Sequence, residues 1–206
     1  KMEDAAIGGR IEQLVKKGYM VAAPDVSGIG EVADKNGGNN FLAFLIGRSI
    51  VGIQAGDINR VVNFLKKRSD VIQGKIGAVA FDEISPALLH AAAFEKTISP
   101  VTLIGSLYSY ETISMNKLYD SRLTNSFVAG ALAAYDLPDL ASSLAPAKLN
   151  LINMKDGEGN MIDPKQENKA IQAIKNAWQA KDAAEHLKII KEDSENMFHG
   201  IILNEE

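Results

Sequence analysis

The chain has 206 residues, 46% of them hydrophobic and 23% charged, and no cysteine. This suits one globular domain with a sizeable core and excludes a disordered chain, a collagen and a coiled coil. A formal net charge of −4, with no basic stripe, argues against a nucleic-acid partner, and the lack of thiols excludes disulfides, thiolate metal sites and cysteine nucleophiles.

No apolar run approaches the ~20 residues of a membrane span, so no membrane partner is expected. The first residue is Lys1 and no signal peptide is visible. The chain therefore reads as a single domain over 1–206, the C-terminal part of a longer protein.

Helix-period and strand-like runs alternate. Residues 2–17 predict a helix with Ile7, Ile11, Leu14 and Val15 on one face, ending before Gly18. Tyr19 to Pro24 is a short apolar run closed by Asp25 and predicts a buried strand. Residues 26–40, rich in Gly and Asn, predict a loop. Gly52 to Lys66 is the clearest helix, with Ile58, Val61, Val62 and Leu65 on one stripe. Then follow a strand Lys75 to Phe81, a helix Pro86 to Phe94 and a strand Val101 to Ser106. An irregular stretch, 107–146, leads to a strand Leu149 to Met154, a helix Pro164 to Ala180 and a strand His186 to Ile190. Strands alternating with helices predict parallel pairing by right-handed crossovers: an α/β, three-layer αβα sandwich on a mostly parallel, doubly wound sheet.

In open sheets of this kind, sites gather at the carboxyl ends of the strands. A dinucleotide site would need G-x-G-x-x-G opening a helix. Gly28-Ile29-Gly30 follows a predicted strand, but no helix opens there and no phosphate-cradling G-x-x-x-x-G-K-[ST] occurs. No cofactor is expected. A serine-hydrolase triad would run nucleophile, acid, His, each after its own strand. Asp82, Asp156 and His199 fall in that order.

The chain here resembles the α/β-hydrolase superfamily, in particular acetyl xylan esterase-like and dienelactone-hydrolase-like esterases. The resemblance is carried by Lys17-Gly18-Tyr19-Met20-Val21-Ala22-Ala23-Pro24-Asp25, Gly28-Ile29-Gly30-Glu31, Gly47-Arg48-Ser49-Ile50-Val51-Gly52 and Asp57-Ile58. It continues through Asn63-Phe64-Leu65, Ser109-Tyr110, Tyr135-Asp136-Leu137-Pro138-Asp139-Leu140, Leu144-Ala145-Pro146 and Asp156-Gly157-Glu158-Gly159. It implies a carbohydrate ester or other small ester as substrate, and a periplasmic or secreted location. In that family several strands precede the first helix seen here, so an upstream catalytic domain or a second copy is an expected partner.

The chain departs from the family at the nucleophile. Where the family has G-x-S-x-G, this chain has Ala80-Phe81-Asp82-Glu83-Ile84. The glycines serve a strained strand-to-helix turn, and β-branched Ile84 makes that turn harder to form. Ser85 precedes Pro86, which predicts a helix N-cap rather than a nucleophile and a helix starting about one turn late. Asp82 as nucleophile suits displacement at saturated carbon, because attack on an ester would give an anhydride. Asp156 matches the family's acid, and equally a turn carboxylate. His199 matches the base, and equally a tail residue. His90, inside an apolar helix, predicts a satisfied core histidine.

Asp156, Glu158, Asn160 and Glu167 echo a calcium loop, but Met161 stands where glycine is needed and Pro164 interrupts. No metal is expected. Tyr108, Tyr110, Met115 and Tyr119 could line a cleft, with Glu83 beside Asp82 as a further substrate contact, or could simply pack on the sheet. Three readings result: an esterase-like domain impaired at its elbow, an active carboxylesterase using Asp156 and His199 with Asp82 or an unrecognised Ser, and a structural domain of a tandem esterase.

Overall fold

The structure is a computed structural model and describes residues 9–33, 38–164 and 168–192. The chain divides into two compact units, Lys1–Asp25 with Glu192–Glu206, and Val26–Lys191.

In the first unit, helix α1 (Arg10–Lys16) carries a Glu12–Lys16 ion pair one turn apart at 2.7 Å. It ends before Gly18, which sits in the left-handed region at φ +89°. The strand expected over Tyr19 to Pro24 does not form, and Tyr19 and Met20 are exposed. A short apolar run becomes a strand only when a neighbour satisfies its backbone. Among the described residues this run has no ladder partner.

The second unit is an α/β sandwich: a parallel sheet with flanking helices. Its strands are β1 (Ile76–Phe81), β2 (Ile98–Ile104), β3 (Leu149–Ile152) and β4 (Leu187–Ile190), in spatial order β1-β2-β3-β4. All pairs are parallel. The central strands read as near-continuous apolar runs because both faces are covered. Val101, Leu103, Leu149 and Ile152 are wholly or almost wholly buried. One rung is polar. Thr102 and Asn150 are register partners, and Asn150 Nδ2 donates to Thr102 Oγ1 at 3.0 Å, so neither buried group is orphaned.

Among the described residues this unit also holds the α-helices α2 (Asn39–Leu45), α3 (Ile50–Lys66), α4 (Ser85–Phe94), α5 (Glu111–Ser114), α6 (Leu137–Ser142) and α7 (Lys169–Gln179). Helix α2 lies at the end of the stretch expected to be loop. Ser49 caps α3, its Oγ accepting from Gly52 N at 3.0 Å. Asp57 on α3 accepts from Ser27 N and Arg60, pinning the 26–30 loop. Burial pulls the Asp57 pKa up, but the Ser27 hydrogen bonds and the Arg60 charge outweigh it and hold the group below the usual carboxylate range.

Helix α4 is apolar all round and buried from Ser85 to Ala92, as a helix enclosed by its neighbours must be. Ser85 is not its cap. It is already helical at φ −56° and ψ −42°, fully buried, and its Oγ has no hydrogen-bond partner among the described residues. A 3₁₀ turn, Asp82–Ile84, runs straight into α4, so no extended residue is left to cap it. The coil therefore starts at the strand end rather than one turn late. His90 is satisfied: Nδ1–H donates to Pro86 O at 2.7 Å, which leaves Nε2 to accept from the Tyr135 hydroxyl at 2.8 Å. Burial lowers its pKa, only partly countered by the Pro86 bond. On α7, Ile171, Ile174 and Trp178 face inward, and Trp178 Nε1 donates to Ala147 O at 3.0 Å.

Two outcomes are expected. Trp178→Ala destabilises the fold by about 3–5 kcal/mol in denaturant titration, the cost of a large buried aromatic. As pH falls below the ordinary histidine value of 6.5, the unfolded chain takes up a proton that folded His90 excludes, so stability declines with acidification. Melting temperatures measured from about pH 7.5 down to about pH 5 should fall more steeply for the parent than for His90→Gln. Parallel slopes would contradict this.

Candidate functional site

Strand β1 delivers Asp82 at the position of the expected nucleophile. Its backbone is left-handed, φ +45°, which is rare for a residue other than glycine. Aspartate is among the few side chains that visit this region, so the strained turn forms without the flanking glycines. Strain of this kind, about 1–3 kcal/mol, persists only where the surroundings over-determine it.

Those surroundings come from the next two strands. Lys155 N donates to Ser106 O at 2.8 Å and Tyr108 N to Lys155 O at 3.0 Å, which carries the β2–β3 pairing past the strand ends. This fixes Lys155, and its Nζ reaches Asp82 Oδ1 at 2.7 Å. Between them lies Gly105, φ +67°. A Cβ there would stand 2.5 Å from Asp82 Oδ1 and 3.3 Å from Lys155 Nζ. The ion pair therefore closes over a position that must lack a side chain. Lys155 is 28% exposed and Asp82 55% exposed, so the pair contributes no more than about 1 kcal/mol. Its consequence is chemical: the carboxylate at the elbow has a cation already on it.

A second pair stands nearby. Arg122 Nε and Nη2 donate to the Asp120 carboxylate at 2.9 and 2.5 Å. The Arg122 bonds hold the Asp120 pKa below the usual range, with a further contribution from the Lys155 charge. Asp120 raises the Arg122 pKa, and Glu83 and Asp82 add to it. Asp82, Glu83, Asp120, Arg122 and Lys155 thus form one nearly compensated charge cluster at the strand ends.

Asp156 lies in the loop beyond β3, but its carboxylate serves that loop. Oδ1 accepts from Glu158 N and Asn160 N, both at 2.9 Å. Glu158 is engaged by Asn116 and Asn160. Asp156, Glu158 and Asn160 are thus bonded to one another, and no group of three or more acidic or histidine residues able to hold a metal occurs among the described residues. Glu167 and His199 lie outside the described residues.

The tyrosines separate. Tyr108 packs half-buried against the core. Tyr110 is 3% exposed. Its phenol has no hydrogen-bond partner among the described residues, and burial, then Tyr135 and Asp136, push its pKa up. Tyr119 and Met115 are exposed. The structure thus brings together Asp82 and Glu83, and it places Tyr110 in the core. Asp136 holds this segment in place. It accepts from Ser109 Oγ, from Tyr110 N at 2.6 Å and from Leu137 N at 2.6 Å, and forms a reciprocal capping box with Asp139. Sequence reasoning missed Lys155, Gly105 and the Asp120–Arg122 pair. Asp136 before Leu137-Pro138-Asp139 was a readable capping signal.

No family model matches the chain, and no curated protein matches it. Among solved structures it is similar to a protein from Bacteroides fragilis described as "a putative acetyl xylan esterase", with a TM-score of 0.67 and 16% identity. The match covers 89% of this chain and 50% of that one, so the chain spans about half the neighbour's length. The likeness is one of fold: an esterase-like α/β architecture.

Asp136→Ala should cost about 2–4 kcal/mol, combining a lost cap with lost hydrogen bonds to a charged group. Gly105→Ala should destabilise by at least ~1 kcal/mol, since it adds a Cβ at positive φ. Asp82→Ala in the same chain should recover part of that loss, because the Cβ would meet the Asp82 carboxylate. Strictly additive effects in a double-mutant cycle would contradict the arrangement.

Proposed function

We propose that this chain is an esterase-like α/β domain whose elbow is catalytically impaired. One observation carries the reading: the residue at the strained turn after β1 is Asp82, and Lys155 Nζ sits 2.7 Å from its carboxylate. Ester hydrolysis by the serine route needs a hydroxyl that passes its proton to a histidine. A carboxylate at that point has no such proton, and its attack on an acyl carbon would give an anhydride. Ser85 cannot replace it, since it is buried within the first turn of α4.

The fold likeness supports carbohydrate or other small esters as the ligand class of the ancestral site. The domain's present contribution is then packing, cleft walls or contacts beside a catalytic partner. Glu83, Arg122 and Lys155 are the polar groups at the strand ends that could meet such a ligand. The competing reading keeps the domain active through Asp156 and His199 with Asp82 or an unrecognised Ser.

Hydrolysis of p-nitrophenyl acetate by the purified chain separates the two. The impaired reading expects a rate equal to buffer, unchanged in Asp82→Ala and His199→Ala. Turnover that disappears in His199→Ala would overturn it.

A further inference from the structure

Strand β4 ends the sheet: among the described residues it pairs with β3 alone. In a parallel ladder the backbone groups of successive residues face opposite neighbours. Asn153 N donates to Ile190 O at 3.0 Å, which assigns Ile190, and by alternation Lys188, to the β3 side. The backbone groups of Leu187 and Ile189 therefore point away from the sheet. Leu187 N is used by Ala184 O, in the 3₁₀ turn Ala184–His186. The Leu187 carbonyl and both backbone groups of Ile189 remain as an open row.

Beside this row lies a cavity of about 300 Å³, lined by Lys175, Trp178 and Gln179 of α7 and by Ala184, Leu187 and Ile189. Leu187 and Ile189 share it because side chains two apart lie on one face of a strand, and Lys188 falls on the other face. Both apolar side chains are half-buried. The volume stands at the small end of ligand pockets, which suits one or two side chains rather than a whole small molecule.

The charges around the edge are of one sign. Lys175 is half-buried and Lys188 exposed, and neither has an ion-pair or hydrogen-bond partner among the described residues. Helix α7 carries no acidic residue. A lysine on an edge strand deters neutral and basic strands. It favours one that brings a carboxylate opposite it.

We propose that the β4 edge takes up an extended acidic peptide as an added strand. The peptide backbone bonds to Leu187 and Ile189, one of its apolar side chains enters the cavity, and its carboxylates meet Lys175 and Lys188. Backbone row, socket and charge converge on this one ligand class, since main-chain bonds supply affinity and alternate side chains supply choice. A small carboxylate would leave the backbone row unused. The edge lies three strand spacings, about 14 Å, from β1, so the proposal does not depend on whether Asp82 reacts.

The test is fluorescence anisotropy of a fluorescein-labelled peptide, Glu-Leu-Glu-Leu-Glu, titrated with the full chain. Its leucines share one face and its glutamates the other. The expected result is saturable binding with Kd below about 1 mM. Lys175→Glu and Lys188→Glu should each weaken it at least about tenfold, as like charges replace opposite ones. Lys188 is exposed, so if Lys175→Glu fails to fold by circular dichroism, Lys188→Glu decides. Backbone methylation separates strand addition from plain charge attraction. Peptides methylated on the leucine amides and on the glutamate amides should differ at least about tenfold in affinity, because only one set faces β4. Equal affinity of the two methylated peptides, equal binding of Lys-Leu-Lys-Leu-Lys, or no saturation would overturn the proposal. A parent chain that sediments as a dimer and takes no peptide would overturn it too, assigning the edge to a second copy.

Discussion

The arrangement at the strand ends depends on an ion pair closing over a glycine. Asp82 follows β1 and Lys155 follows β3, and the strand between them, β2, is followed at once by Gly105. Any Cβ at that position would fall within contact distance of both charged groups. The pair is half in solvent and adds little to stability. Its effect is to give the left-handed turn at Asp82 an anchor, so that a strained geometry survives with a carboxylate at its apex.

Around this point the fold is held by means that owe nothing to catalysis. The parallel strands bury continuous apolar runs, with the Thr102–Asn150 bond as their satisfied polar rung. Within the irregular 107–146 segment one carboxylate, Asp136, gathers Ser109, Tyr110 and Leu137. Asp156, in the loop after β3, bonds to its own loop. These contacts give a stable scaffold whose charged groups are largely paired with one another. Such a site offers little unspent charge to a reacting ligand, which is the physical basis for reading it as impaired.

Much of this was legible in the sequence. The strand-like runs at 75–81, 101–106, 149–154 and 186–190 each became a strand, with ends that coincide or differ by up to three residues, and Gly52 to Lys66 lies inside α3. Periodicity and apolar content decide such elements. Tyr19 to Pro24 failed because composition cannot say whether a strand will find a neighbour. Ser85-Pro86 read as a cap because local preference favours it, but the 3₁₀ turn from Asp82 had already started the coil. The missing glycines and β-branched Ile84 suggested a turn that is harder to form. Aspartate's own tolerance of positive φ made it possible. Lys155 was invisible because nothing in its local pattern tells that it faces Asp82, 73 positions away in the chain.

The claim at the centre of this account is that the elbow holds no activated hydroxyl. Treating the chain with a reactive organophosphate ester and measuring its intact mass tests this most directly, because such reagents phosphorylate activated serines. The account predicts an unmodified chain. A stoichiometric adduct mapped to a serine, Ser85 above all, would contradict it.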